Sequence, residues 1–375
     1  MRMRKRRKVK MASIKKHEPL FHIVKRDRMP IWQSLLIRLG AIALGLLFCG
    51  LLCNIILDVK PMELYKTLYD GVFGTERRIW KMAKDLAVLL CISLAVTPAF
   101  KMKFWNIGAE GQVLMSCLAA VACTIYFGGK MPNWAMLVCM ATAAILAGMV
   151  WAVIPAIFKA KWDTNETLFT LMMNYVATQL VAYFLIVWVP SGSSSLGELK
   201  FGHMPTVGSG AGSRYIILIA VVAAITAFMY IYLNYFKQGY EISVVGESQK
   251  TACYIGINVK KIIIRTLIVS GILCGIAGFL IVSALDHSVT TDAVGGRGFT
   301  AIMVSWLAKF NPLIMVATSF LIVFLQQGVY EFANDYGIST AFQNIIVGII
   351  LFFVIGCEFF INYKIMFTRK GVAKK

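Results

Sequence analysis

Charge is scarce in this chain, and acidic charge is scarcer still. Only 15% of the 375 residues are charged, with 18 Asp and Glu against 38 Lys and Arg. Hydrophobic residues make up 59% of the sequence, and the mean hydropathy is +0.73. A typical soluble domain is roughly 45–50% apolar, even on a count that includes Gly. The basic residues lie between apolar runs, as the positive-inside rule describes, so we expect a membrane protein and no nucleic-acid partner.

The chain also lacks the motifs of common enzyme classes. It contains no G-x-x-x-x-G-K-[ST] phosphate loop, no H-E-x-x-H and no G-x-S-x-G. The four histidines are scattered, and the nine cysteines include no C-x-x-C pair and no spacing that suits zinc. We therefore expect no metal, no cofactor, no disulfide framework and no catalysis by this chain.

Long apolar runs are what the sequence has in abundance. The eighth of ten runs is too short to span a membrane, because a spanning helix needs roughly 20 apolar residues. We expect it to form a broken or re-entrant segment with the Gly-rich stretch before it. The predicted fold is an all-α integral membrane protein of about ten transmembrane helices, near residues 34–57, 86–104, 108–127, 134–158, 166–190, 214–236, 266–286, 298–309, 312–331 and 341–361.

The distribution of Lys and Arg predicts the orientation. With the N-terminus inside, the inner segments hold 27 of these residues and the outer segments ten, while Arg38 lies within the first helix. Both termini are therefore predicted to be cytoplasmic. We divide the chain into a basic tail (1–33), a membrane domain (34–361) and a second basic tail (362–375). The first apolar run is full length and predicts an uncleaved anchor rather than a signal peptide.

Glu110 is the clearest charge at membrane depth, where a charged side chain costs roughly 2.5–3.5 kcal/mol on insertion scales. It follows the second run in F-W-N-I-G-A-E-G-Q, whose glycines permit an unwound turn. Asn106, Glu110 and Gln112 supply hydrogen-bonding groups, and Phe104 supplies a flat face. This mixture predicts a path for a polar, ring-bearing solute. The alternative is that Glu110 only caps the third helix at its positive N-terminal end.

A second polar cluster precedes and enters the fifth run. Asp163 or Thr164 is predicted to cap this helix, with Glu166 in its first turn. Asn174 lies eight positions further and shares a face with Glu166. A buried amide needs partners, so Asn174 either joins helices or faces the solute path.

Arg297 lies at the outer end of the short eighth run. Asp286, His287 and Asp292 are nearby in sequence. Arg297 either pairs with one of the two acids or acts as a gate at the outer mouth. The G-x-x-G frame around it also occurs in residues 106–112, which enter from the opposite side, as in an inverted repeat.

The inner loop 237–265 is too long for a simple turn between spanning helices. Apolar and polar residues alternate in it, which predicts a short amphipathic helix along the membrane surface. Such a helix either touches lipid alone or docks a soluble partner.

Four motifs in order carry a resemblance to a known family. The first is F-N-I-G-A-E-G-Q, present in 104–112 with Trp105 inserted, and the second is N-E-V-x-x-T-L-M-L-N-Y, present in 165–175 with Thr167 for Val. The third, G-x-N-x-x-A-A-x-x-x-G-I, lies in 246–257 with its Asn and first Ala replaced, and the fourth is G-R-G-F at 296–299. The chain thereby resembles bacterial ABC-transporter permeases for nucleosides, which are related to ribose and galactose permeases.

The resemblance covers roughly residues 34–361 and implies a permease subunit of an importer in the bacterial plasma membrane. It implies an ATPase with two nucleotide-binding modules, a second permease in a heterodimer, and an extracellular lipid-anchored solute-binding protein. It makes residues 244–257 the coupling helix. The residues that it assigns to coupling are Gly246, Glu247, Ser248, Ala252, Gly256 and Ile257.

The main alternative is a secondary transporter driven by an ion gradient. It would place titratable groups at the midplane, a role that Glu110 could fill. The long inner loop would then have no role.

Overall fold

The structure is a computed structural model that describes residues 21–26, 29–189, 196–208, 210 and 212–367. Most of the basic N-terminal tail, part of the outer loop before residue 212 and residues 368–375 lie outside the described residues. Thirteen helices occur in the described part of the chain. They are α1 (Ile31–Leu57), α2 (Pro61–Phe73), α3 (Glu76–Lys101), α4 (Ala109–Phe127), α5 (Asn133–Trp162), α6 (Glu166–Trp188), α7 (Ile216–Asn234), α8 (Lys237–Glu247), α9 (Gln249–Tyr254), α10 (Val259–Leu280), α11 (Arg297–Leu307), α12 (Pro312–Asp335) and α13 (Thr340–Asn362).

Two short strands join the ends of the described chain. Strand β1 (Phe21–Lys25) pairs antiparallel with β2 (Tyr363–Phe367), with Phe21 opposite Phe367. This pairing places the start of α1 and the end of α13 at the same face of the bundle. The two ends of the described chain therefore lie on one side of the bundle, and the cytoplasmic location of the termini stays a prediction.

The number of crossings agrees with this arrangement only when α11 is included. Nine helices of the described chain are long and apolar enough to cross a membrane. Nine crossings would leave the two ends of the described chain on opposite faces, whereas a tenth passage through the stretch 287–311 would place them on the same face, as the β1–β2 pairing requires. The helix of this stretch, α11, has 11 residues and spans only about 16 Å at 1.5 Å per residue. The predicted all-α integral membrane fold is confirmed, and the broken or re-entrant form of the eighth segment stays a prediction.

Several helices begin where a side chain satisfies the first free backbone amides. The hydroxyl of Thr75 accepts a hydrogen bond from the amide of Arg78 at the start of α3. Asn258 and Asn311 cap α10 and α12 in the same way. Helix α2, in the connection between α1 and α3, packs against α12.

Small residues allow the central helices to approach closely. A Cβ atom added to Gly271 would lie 2.6 Å from the carbonyl oxygen of Gly148, and one on Gly275 would lie 2.5 Å from the Cα of Ile145. Gly271 and Gly275 thus bring α10 into close packing with α5. A second apolar core joins α1, α2, α12 and α13, so α3 and α11 lie between two packed groups of helices.

Candidate functional site

The candidate site is the junction where α4 and α11 both begin inside the bundle. The chain leaves α3 at Lys101 and returns through the turn 102–108, in which Lys103 has a positive φ of 60°. Asn106 lies beside Ser270, with 3.5 Å between its Nδ2 and the serine Oγ, in the middle of α10. The turn has therefore climbed to membrane depth before α4 begins.

Asn106 organises this turn from a fully buried position. Its Oδ1 accepts hydrogen bonds from the amide of Gly108 (3.1 Å) and from Nε2 of Gln112 (3.2 Å). Thr170 adds a hydroxyl that accepts from the amide of Ile107 at 3.2 Å. These bonds satisfy backbone groups of the turn, so irregular backbone is tolerated at this depth, although Oε1 of Gln112 has no partner among the described residues.

Asn174 holds the other side of the same turn. Its Oδ1 accepts from the amide of Gly111 (2.9 Å), and its Nδ2 donates to the carbonyl of Ile107 (3.0 Å). Asn174 thus joins α6 to the start of α4, which is the first of the two roles that the sequence left open. Gly111 lies so close to α6 that an added Cβ would be 2.8 Å from the Asn174 Oδ1.

The residue that caps the start of α6 differs from the prediction. The capping residue is Asn165, whose Oδ1 accepts from the amides of Thr167 and Leu168, and not Asp163 or Thr164. Asp163 instead ends α5 with a positive φ of 51°.

Glu110 connects the two helices of the junction. Its carboxylate accepts hydrogen bonds from the amides of Gly296 (2.8 Å) and Gly298 (2.7 Å) at the start of α11. The hydrogen bonds of Glu110 therefore cap the neighbouring helix α11, while Glu110 itself lies in the first turn of α4. A negative charge is favoured at a helix N-terminus, and here two N-termini converge on it. A Cβ on Gly298 would lie 2.5 Å from the Glu110 amide nitrogen, so this contact requires glycine.

Arg297 has an ion-pair partner that was not predicted from the sequence. It forms an ion pair of 3.0 Å with Asp85 of α3, and not with either of the acids beside it in sequence, Asp286 and Asp292. Asp85 directly precedes the second apolar run, so its position near membrane depth was the signal that could have identified it.

The aromatic groups of the turn divide between two environments. Phe104 is buried in the central core, whereas Trp105 is 45% exposed. The rings of Trp105 and Trp306 lie 5.4 Å apart, and Phe100 packs edge-on against both. The predicted set Phe104, Asn106, Glu110, Gln112 and Asn174 is therefore brought together, and its role in the solute path remains a prediction.

The inner loop forms two helices where one was predicted over 244–257. Helix α8 ends at Glu247, and Ser248 adopts extended backbone and caps α9 through the amide of Thr251. Gly256 then turns the chain with a positive φ of 85°. A hydroxyl cap after α8 is a stronger local signal than continued apolar alternation, which explains the break.

The residues assigned to coupling lie at different depths. Gly246 and Ala252 are buried, Ser248 and Ile257 are half-buried, and Glu247 and Gly256 are exposed. Gly246 is in van der Waals contact with the backbone of Lys101, so that α8 touches the end of α3. The most exposed large hydrophobic side chain here is that of Tyr254, at 93%, which is not among the residues assigned to coupling.

The ring of His287, which lies outside the nine candidate spanning helices of the described chain, has a shifted pKa. His287 follows the π-helical segment Ile281–Asp286, and its ring lies 4.1 Å from that of His203. Burial, and then the neighbouring His203, lower the pKa of His287.

Comparisons with known proteins agree with this architecture. The chain is 28% identical to the guanosine ABC transporter permease protein NupP of Bacillus subtilis over 350 residues, covering 92% of this chain and 98% of that protein. It is 27% identical to the glucose ABC transporter permease protein TsgB13 of Haloferax volcanii, covering 92% and 94%. A second guanosine permease of the same Bacillus strain, NupQ, is 25% identical, covering 59% and 72%.

These relatives confirm the resemblance to ABC-transporter permeases of the nucleoside and simple-sugar import family. Permeases that share a solute occur in pairs among them, which agrees with a second permease subunit as a partner. Residues 79–355 match the family described as branched-chain amino acid transport system / permease component, and these residues include the junction and the inner loop. The chain therefore belongs to this family of membrane permeases.

Proposed function

We propose that this chain is the membrane-spanning subunit of an ABC importer that carries nucleosides across the bacterial plasma membrane. The observation that carries the proposal is the similarity to a guanosine permease along nearly the full length of both chains. ATP is hydrolysed by a separate subunit with two nucleotide-binding modules, which agrees with the absence of a phosphate loop here.

The coupling step is proposed to begin at the inner loop. The ATPase docks on α8 and α9 and moves the segment that contains Gly246, Ala252 and Gly256. Because Gly246 packs directly on the backbone of Lys101, this movement reaches the end of α3 and the turn 102–108. Contacting groups of this kind can carry a movement from the inner loop to the turn 102–108. Mutations at these contacts test this coupling.

The movement then passes through Glu110 to α11. The carboxylate holds the amides of Gly296 and Gly298, so α4 and the start of α11 shift together. Asn106, Gln112 and Asn174 keep the turn rigid, and Phe104 fixes it in the core. In this proposal they shape the solute path by positioning α11, and Arg297 acts as the outer gate through its ion pair with Asp85.

The proposed assembly has three further components. A paralogous permease completes the pore in a heterodimer, and an extracellular lipid-anchored binding protein delivers the solute. Anionic lipid contacts the basic termini. The family match to ABC permeases favours this assembly over a secondary transporter driven by an ion gradient.

The proposal is tested by reconstitution. The chain is co-purified with its ATPase and second permease, inserted into proteoliposomes, and supplied with the solute-binding protein and labelled guanosine, glucose or ribose. Uptake of guanosine that requires ATP on the ATPase side supports the proposal. Uptake of a sugar but not of guanosine contradicts the nucleoside assignment, and guanosine uptake without ATP contradicts the ABC mechanism.

A further inference from the structure

A polar cavity of about 770 Å³ opens beside the start of α11. Its walls come from the first half of α3, the segment 286–300, the second half of α12 and the start of α13. In the orientation predicted from the basic residues, all of these lie toward the outer face. Small-molecule sites usually have volumes of about 300–1,000 Å³, so the cavity has the size of a binding site for a single solute.

Several side chains of this cavity have unused hydrogen-bonding groups. Gln326 and Gln343 are half-buried and, among the described residues, their side chains make no hydrogen bond within the chain. Gln327 is 5% exposed and donates through Nε2 to the carbonyls of Gly71 and Arg78, but its Oε1 has no partner in the described residues. An orphan acceptor beside a cavity needs a donor from water or from a ligand.

The charges of the cavity favour one class of solute. Two cations line it, and each has a partner: Arg297 pairs with Asp85 at 3.0 Å, and Lys81 approaches Glu331 at 3.8 Å. Asp286 and Asp292 also line the cavity, and neither has an ion-pair partner within 4 Å among the described residues. The excess of carboxylate charge repels anions and leaves acceptors for hydroxyl groups.

We infer that this cavity is the outer binding site of the permease for a neutral, hydroxyl-bearing ring solute, and that it rejects the phosphorylated form. The amides of Gln326 and Gln343 bind the ring or its hydroxyls, and the carboxylates of Asp286 and Asp292 exclude phosphate. This inference rests on the proposed function, since it assigns a site to the nucleoside that the importer carries.

The test measures direct binding to the complete transporter in lipid nanodiscs without the solute-binding protein. Labelled guanosine is the probe, and guanosine 5′-monophosphate is the competitor. Gln326→Leu and Gln343→Leu are expected to weaken guanosine binding about twofold to tenfold each, the range for one lost hydrogen bond. Gln179→Leu is the matched control, because Gln179 is exposed on α6 and lies outside the cavity.

The charge argument has its own variant. In the double variant Asp286→Asn and Asp292→Asn, the monophosphate is expected to compete several-fold better relative to guanosine than in the wild type. An unchanged ratio would overturn the proposed rejection of phosphate.

A labelling experiment guards against loss of folding in these variants. Asn344→Cys places a thiol at the exposed rim of the cavity, and a membrane-impermeant maleimide is applied to proteoliposomes with and without guanosine. Slower labelling with guanosine supports the site. Labelling at an unchanged rate, or glutamine variants that bind like Gln179→Leu, overturns it. Wild-type transporter that carries no guanosine refutes the proposed function itself, so the two failures are distinguishable.

Discussion

Two turns bring the chain to membrane depth, and they differ in how their polar groups are satisfied. In the turn 102–108, Asn106, Thr170 and Asn174 bind backbone or one another, and the turn is closed within the bundle. The turn 287–296 is held by Glu110 from outside its own segment and borders the polar cavity. The first turn is held by side chains of the surrounding bundle, whereas the second borders the cavity that we propose as a solute site.

The largest effect is expected where the two turns meet. Glu110→Ala leaves the amides of Gly296 and Gly298 without an acceptor at membrane depth, at about 1–3 kcal/mol each. We expect a loss of about 2–6 kcal/mol in stability and little assembled transporter. Glu110→Gln keeps one carbonyl acceptor and should lie between Ala and wild type. Thermal unfolding of the purified complex measures this order, and an Ala variant with wild-type stability would contradict the junction.

The link between the closed turn and the ATPase is tested at Gly246. A Cβ atom has no room beside the backbone of Lys101, so Gly246→Ala displaces α8 from the end of α3. Overpacking of this kind costs about 1–3 kcal/mol. We expect guanosine uptake per ATP hydrolysed to fall severalfold. Gly356→Ala is the control, because a Cβ there meets nothing within 4 Å; equal coupling ratios in both variants would remove this contact from the mechanism.

The closed turn should respond to the loss of its amide partner. Asn174→Leu leaves the amide of Gly111 and the carbonyl of Ile107 unpaired, and we expect a loss of about 1–3 kcal/mol in stability for each of these two groups. Tyr175→Phe is the control on the same helix, where the side chain is exposed. The measurement is thermal unfolding in detergent, and a result equal to the control would show that the turn does not depend on α6.

A substitution beside the turn 287–296 should change transport more than it changes stability. Arg297→Gln removes an ion pair of partly exposed groups, which is worth about 1 kcal/mol or less. If Arg297 is the outer gate, uptake or its dependence on the solute-binding protein changes severalfold while assembly stays near normal. Uptake normalised to assembled complex separates these effects, and unchanged uptake assigns the ion pair to structure alone.

The smallest expected effect is a loss of stability at mildly acidic pH. Folding lowers the pKa of His287 below its ordinary value of about 6.5. As the pH falls through that value, His287 is protonated in the unfolded chain before it is protonated in the folded chain, and this difference favours unfolding. Stability should therefore fall as the pH decreases from about 7 to 5. His287→Gln should flatten this part of the pH profile of thermal unfolding, and an unaltered profile would exclude His287 as the cause.

The sequence predicted the parts of the fold that depend on local pattern. Apolar runs predicted the spans and the short eighth segment, and basic residues predicted termini on one side, which agrees with the β1–β2 pairing at the ends of the described chain. The motif at 104–112 identified the first turn. These signals are local because the bilayer imposes length and apolarity on every crossing.

Only the tertiary structure decided which groups meet. Glu110 binds a helix that begins 187 positions later, Arg297 pairs with Asp85 rather than with acids beside it in sequence, and Gln327 reaches the outer cavity from α12. Position in the sequence shows that a polar group at membrane depth needs a partner, but several partners are available to each. Packing of distant helices selects among them, because a buried polar group is stable only where the fold brings its complement within hydrogen-bonding distance.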